Sequence, residues 1–152
     1  MSSIDERKIR VHASRKDLSV AISEHSYKLS VDDFPVDRSL VSDDGWNAMQ
    51  VRWLITSDSV GAQHHVVGHT IFQPGGEHEI HRHPNAEETE YLVAGSGISL
   101  VGDLEIEHAA GEIVFVPKNE WHGFRCSSDE PAVMVWTYGG VPNLAAAGYV
   151  RR

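Results

Sequence analysis

Gly75-Gly-Glu-His-Glu-Ile-His81-Arg-His83-Pro-Asn-Ala-Glu-Glu88-Thr-Glu-Tyr-Leu-Val-Ala-Gly95 is the stretch that decides how this chain is read. His81 and His83 are two residues apart, so on a β-strand both imidazoles point to one face. Pro84 and Asn85 then supply turn chemistry and the chain returns through Glu88. A carboxylate on the returning strand meets the two histidines across the ladder. A second run, Gly111-Glu-Ile-Val-Phe-Val-Pro117-Lys-Asn-Glu-Trp-His122, ends in another lone histidine. Three imidazoles and one carboxylate make a donor set for a borderline divalent metal.

Outward from that stretch the chain reads as strands broken by turns, with little helical period before its end. Ser42-Asp-Asp-Gly45 is a turn signal. Trp46 to Ile55 places Met49, Val51, Trp53 and Ile55 on one face, and Val66 to Phe72 forms a second strand closed by Pro74-Gly75-Gly76. Ile98 to Val101 and Leu104 to Glu107 read as a hairpin around Gly102-Asp103. Ile113 to Val116 is continuously apolar, which predicts burial on both faces. Ala132 to Tyr138 sets Met134, Trp136 and Tyr138 on one side, and Asn143 to Gly148 reads as a short helical turn. Ile4 to Leu18 is charged and weakly periodic, a candidate short helix. Short strands at this spacing predict an all-β sandwich or barrel.

A chain of 152 residues fits one domain with a real core. Its 41% hydrophobic and 23% charged residues are ordinary for a globular protein in water. The formal net charge of −9 argues against nucleic acid and anionic membranes as partners. Cys126 is the single cysteine, so no intramolecular disulfide forms. The polar start lacks the apolar core of a signal peptide and no window approaches a membrane span, so a cytoplasmic protein is expected. Histidine is the outlying residue: six of the ten fall between positions 64 and 83.

At this point the chain resembles the cupin superfamily. The family's first motif, Gly-x5-His-x-His-x3–4-Glu-x6-Gly, is met by Gly75, His81, His83, Glu88 and Gly95. Its second, Gly-x5-Pro-x-Gly-x2-His-x3-Asn, is met by Gly111, Pro117 and His122. Asn119 stands where the second glycine is expected, and asparagine also tolerates left-handed backbone. Cys126 replaces the asparagine, a structural position and not a ligand. The resemblance covers roughly residues 66–138 and implies a double-stranded β-helix, the jelly-roll barrel. Residues 61–140 are then the barrel, 141–152 a C-terminal tail, and 1–60 an N-terminal extension packing on the barrel or on a second subunit. It also implies that His81, His83, Glu88 and His122 bind one divalent transition metal (iron, manganese, nickel, cobalt or zinc), with positions left open for a small-molecule substrate. A homodimer is expected.

Strand alternation from Glu88 turns Glu90 into the barrel and Glu87 out of it, which makes Glu90 the candidate catalytic acid–base group. Glu79 has the parity of His81 and His83, which aims it at the cavity mouth. His69 reads as a satisfied structural histidine, and His64, His65 and His78 as surface or loop residues. Phe124, Met134, Trp136 and Tyr138 are candidate walls of a substrate pocket, and Cys126 is a buried inert thiol. Three functions fit. The first is an iron(II)-type dioxygenase acting on an aromatic, enol or dicarbonyl compound. The second is a non-oxidative lyase, isomerase or decarboxylase with the metal as Lewis acid. The third is a small-molecule-binding cupin without turnover.

Overall fold

The computed structural model describes residues 27–152, and the helix expected at Ile4 to Leu18 lies outside the described residues. Among the described residues nine strands carry the fold: β1 (Trp46–Ile55), β2 (His65–Arg82), β3 (Glu87–Ala94), β4 (Ser96–Val101), β5 (Leu104–Ala109), β6 (Ile113–Val116), β7 (His122–Cys126), β8 (Ala132–Gly139) and β9 (Val150–Arg151). Two single-turn helices, α1 (Ser57–Val60) and α2 (Leu144–Ala147), join them. The β4–β5 hairpin turns at Gly102-Asp103, where Gly102 takes the left-handed φ of 60° that such a turn needs. Asn143 caps α2 through its side chain, 2.8 Å from the Ala146 N–H. No helix among the described residues is long and apolar enough to cross a membrane.

The sheet runs in the order β5-β4-β7-β2-β8-β3-β6, with β1 and β9 also paired to β2. β2 is the strand that makes this a jelly roll. From His65 to Phe72 it pairs with β8, and from Glu77 to Arg82 with β7 and β9, so one strand serves both layers. The inward faces of the two layers meet in a common core built from Val51, Val66, Phe72, Leu92, Phe124 and Met134. Each such side chain, fully buried, contributes roughly 1.5–3 kcal/mol.

Two expectations about strands are corrected here. Pro74-Gly75-Gly76 does not close the second strand: β2 runs through it for 18 residues. Gly75, at φ 76°, bends the strand instead of ending it. Gly76 lets β1 cross the bend, since a Cβ there would lie 2.7 Å from the Ala48 carbonyl oxygen. Nor is β6 buried on both faces. Val114 and Val116 point inward, but Ile113 is 65% and Phe115 54% exposed. β6 ends the sheet path and, among the described residues, has a packing layer only on its inner side, and Tyr91 and Val93 of β3 are exposed alongside it.

Candidate metal centre and cavity

His81 and His83 close the end of β2, Glu88 lies near the start of β3, and His122 opens β7 directly opposite His81 across the ladder. One irregularity sets the facing of everything near them. Between His78 and His81 the register slips, so that Glu79 and Ile80 oppose Gly123 alone. Gly123 makes room for this bulge, because a Cβ there would lie 2.8 Å from the His78 carbonyl oxygen. His78 therefore faces the same side as His81, with ring centroids 3.8 Å apart, and is no surface residue. Glu79 turns out instead of toward the cavity mouth, and pairs with Arg151 at 3.1 Å. Asn119, at φ 66°, fills the family's glycine position and donates its N–H to the His83 carbonyl at 3.0 Å.

The four candidate ligands are all buried, and one ligand atom from each lies within 4.8 Å of the others. Every ring is aimed by a backbone carbonyl. His81 Nδ1 faces the Glu79 oxygen at 2.7 Å, His83 Nδ1 the Gly148 oxygen at 2.7 Å, and His122 Nδ1 the Glu120 oxygen at 3.0 Å. A carbonyl only accepts, so each Nδ1 carries the hydrogen and each neutral Nε2 is left bare. Glu88 Oε2 lies 2.8 Å from His122 Nε2 and 3.3 Å from His83 Nε2.

That arrangement tests the fit of a metal. His83 Nε2 is buried with no hydrogen-bond partner, beside a carboxylate oxygen that also only accepts. Bare lone pairs gathered around a carboxylate are what a divalent cation satisfies, and the donors suit one of the transition metals. Burial opposes ionisation of Glu88, but the adjacent His122 and His83 rings outweigh it and hold the carboxyl well below the usual range. Burial likewise opposes charge on His122, but Glu88 overcomes it and lifts the ring up to about 9. His81 is pushed well down by burial and by neighbouring His78.

Beyond the cluster lies a cavity whose wall is aromatic: Phe72, Phe124, Trp136 and Tyr138, with Trp46 and Met49 brought over by β1. Phe124, Met134, Trp136 and Tyr138, the residues named from sequence, all line it. Glu88 and Glu90 give it an acidic floor, and Glu87 is exposed on the other side of β3. Burial, reinforced by the Glu88 charge, pushes the Glu90 carboxyl up to about 8. Free space is only about 20 Å³, room for roughly one water molecule.

Residues 68–138 match the family model described as a cupin domain. A predicted oxalate decarboxylase from Thermotoga maritima superposes with a TM-score of 0.67 at 14% identity, over 75% of this chain and 99% of that one. Residues 68–138 form a cupin domain. In sequence the cupin is similar to the tetracenomycin polyketide synthase protein TcmJ of Streptomyces glaucescens, 29% identical over 99 residues, which are 65% of this chain and 66% of that protein. In structure it is similar to the polyketide cyclase RemF from Streptomyces resistomycificus, with a TM-score of 0.62 at 22% identity over 79% of this chain and 87% of that one. The two structural likenesses establish the fold.

Several residues of this cupin's site escaped the sequence reading. Gly148 orients His83 from the far end of the chain. Tyr149 stacks over His78 and His81, and its hydroxyl meets His78 Nε2 at 2.9 Å. His78 itself was hidden by the bulge, for which the glycines at 75 and 76 were the available signal. His69 faces outward with its Nδ1 buried and unpartnered, so it is neither a pocket residue nor a satisfied one. His64 and His65 are exposed and Cys126 is buried, as read.

Proposed function

We propose that this cupin is a metal-dependent enzyme that moves a proton on a small aromatic or enolisable carbonyl substrate, with Glu90 as the acid–base group. The observation that carries this reading is the Glu90 carboxyl, buried at the floor of an aromatic cavity beside the ligand cluster and raised to about 8. A carboxyl poised near neutral pH both takes and returns a proton efficiently. Oxygen insertion has no evident use for such a group.

His81, His83, Glu88 and His122 would hold the ion, which when bound polarises a carbonyl or enol oxygen. Trp46, Trp136 and Tyr138 stack against the apolar part of the substrate and keep water from it. Glu90 removes a proton from the carbon next to the carbonyl and returns it elsewhere, the step shared by isomerases, lyases and cyclising enzymes. The likeness to a polyketide synthase protein supports this substrate class, since polyketides are built from repeated carbonyl units.

A second reading, an iron(II) dioxygenase cleaving an aromatic, enol or dicarbonyl compound, is favoured by the aromatic walls and by four ligands that leave an octahedral ion two positions. One experiment separates the readings. Protein stripped of metal is reloaded without oxygen with zinc, manganese or iron(II), then given propiophenone in heavy water. Stereospecific deuterium uptake at the α-carbon, lost in Glu90→Gln, supports proton transfer. Oxygen consumption confined to the iron form, with a catechol or enol as substrate, transfers the assignment to the dioxygenase. Binding of these compounds without turnover under any metal leaves a binding module.

A further inference from the structure

Beside Glu90, strands β3, β4 and β5 bring together a chain of polar groups. Ser99 of β4 is fully buried and His108 of β5 is 2% exposed. Ser99 Oγ lies 3.3 Å from Glu90 Oε2 and 3.0 Å from His108 Nδ1. His108 Nε2 lies 3.0 Å from the Glu112 backbone oxygen, in the turn between β5 and β6. Phe124 packs edge-on against the His108 ring. Neither Ser99 nor His108 belongs to the two motifs, and apolar side chains would fill the space at no cost in hydrogen bonding.

Donor and acceptor capacities give the chain a direction. The Glu112 carbonyl only accepts, so His108 Nε2 carries a hydrogen. In the neutral ring Nδ1 is then an acceptor and takes the single Ser99 hydroxyl hydrogen. Ser99 Oγ is left with lone pairs toward Glu90, a contact that only a protonated carboxyl completes. The opposite polarity is equally consistent. If Glu90 is ionised, Ser99 donates to it and His108 Nδ1 carries the extra proton. In both polarities the Ser99 hydroxyl ties Glu90 Oε2 to the His108 ring.

We propose that Ser99 and His108 are positioning residues: the His108 ring, held by the Glu112 carbonyl, fixes the Ser99 hydroxyl, which in turn fixes Glu90 Oε2 and leaves Oε1 to face the cavity. The role in turnover rests on the proposed function of Glu90, whereas the hydrogen-bonded chain does not.

The first arm of the test needs no substrate. Zinc-loaded protein with nitrogen-15 histidine is compared by NMR with Ser99→Ala, Glu90→Gln and Glu87→Gln. The His108 ring is expected to carry its hydrogen on Nε2, with an Nδ1 resonance that moves in the first two variants and not in the third. An Nδ1 resonance indifferent to both Ser99→Ala and Glu90→Gln overturns the positioning chain, whatever the enzyme acts on. The second arm follows deuterium uptake by propiophenone. Ser99→Ala is expected to keep its zinc and its KM and to lower kcat about tenfold, less than the roughly hundredfold loss on removing the acid–base group itself. Ser99→Thr restores the rate, and Ser99→Ala adds nothing on a Glu90→Gln background. Losses that multiply in the double variant overturn the proposal. Absence of uptake in the unaltered protein counts against the function proposed for Glu90 and leaves the NMR result to decide the positioning chain.

Discussion

The carbonyl oxygen of Gly148 accepts the Nδ1 hydrogen of His83 at 2.7 Å, between residues 65 apart in sequence. This contact makes the C-terminal segment part of the metal centre. β9 then pairs with β2 at His81 and Arg82, and Arg151 holds Glu79 and Asp44. Gly148 sits at φ 78°, and a Cβ there would lie 2.9 Å from Pro84 Cδ. Gly148→Val is therefore strained on two counts and displaces the carbonyl. Metal affinity, measured by competition with a chelating dye, is expected to fall about tenfold to hundredfold. Unchanged affinity would show that His83 needs no such anchor.

Elemental analysis of protein purified without metal-affinity media is expected to give about one divalent ion per chain. His83→Ala and His122→Ala lose most of it. The ligands come from β2, β3 and β7, so the ion ties three strands together and stabilises the fold by mass action. At a thousandfold excess over Kd this amounts to about 4 kcal/mol, or about 10 °C in Tm. Chelation should remove that increment and leave a cooperative transition, because the aromatic core does not depend on metal. A chelated protein that gives a random-coil circular dichroism spectrum contradicts this.

Proton and metal compete for His122. Its folded value of about 9 exceeds the ordinary 6.5, so in the metal-free protein the proton is held throughout the neutral range and must leave when metal enters. Affinity should rise with pH by about tenfold per unit up to about 9. The same sign governs stability: the His122 contribution to the metal-free fold is complete below 6.5 and is lost as pH climbs through about 9. Glu88 acts oppositely. Its contribution is present above 4.5 and disappears only on strong acidification. Titration calorimetry in buffers of different ionisation enthalpy measures the released proton, and a pH-independent affinity rules out the exchange.

Glu90 and Glu87 lie on opposite faces of β3. Glu90→Gln should leave the metal in place and lower turnover about hundredfold or more, whereas Glu87→Gln should be silent. Equal effects from both would remove Glu90 from the chemistry.

Gly68 makes room for Trp136. A Cβ at Gly68 would lie 1.9 Å from Trp136 Cζ2, within a ring that donates to Thr70 Oγ1 at 2.9 Å. Gly68→Ala should push the indole into the cavity, break that hydrogen bond and cost about 2 kcal/mol, or about 5 °C in Tm. An unshifted melting curve would show that β2 yields more readily than its pairing with β1 and β8 implies.

What the sequence determined by itself is the local and periodic part of this protein. The spacing of His81, His83 and Glu88, the Pro84-Asn85 turn and strand parity were enough to bring those three side chains together, to face Glu90 inward and to read the β4–β5 hairpin; His122 came from the family resemblance. These properties depend on residues a few positions apart and on a period of two. Parity fails wherever a bulge changes the count, which is why Glu79 and His78 were exchanged in facing and why β2 was cut short at Gly75. Composition also misled at β6, since an apolar run does not say whether a second layer covers it. Only the tertiary structure decided which distant groups complete the site. Gly148 reaches His83, Trp46 closes the cavity, and Ser99 and His108 stand beside Glu90 because the roll brings β1, β4, β5 and the C-terminal segment around β2 and β3. Such contacts carry no spacing signature, since they are set by how two layers wrap around one core.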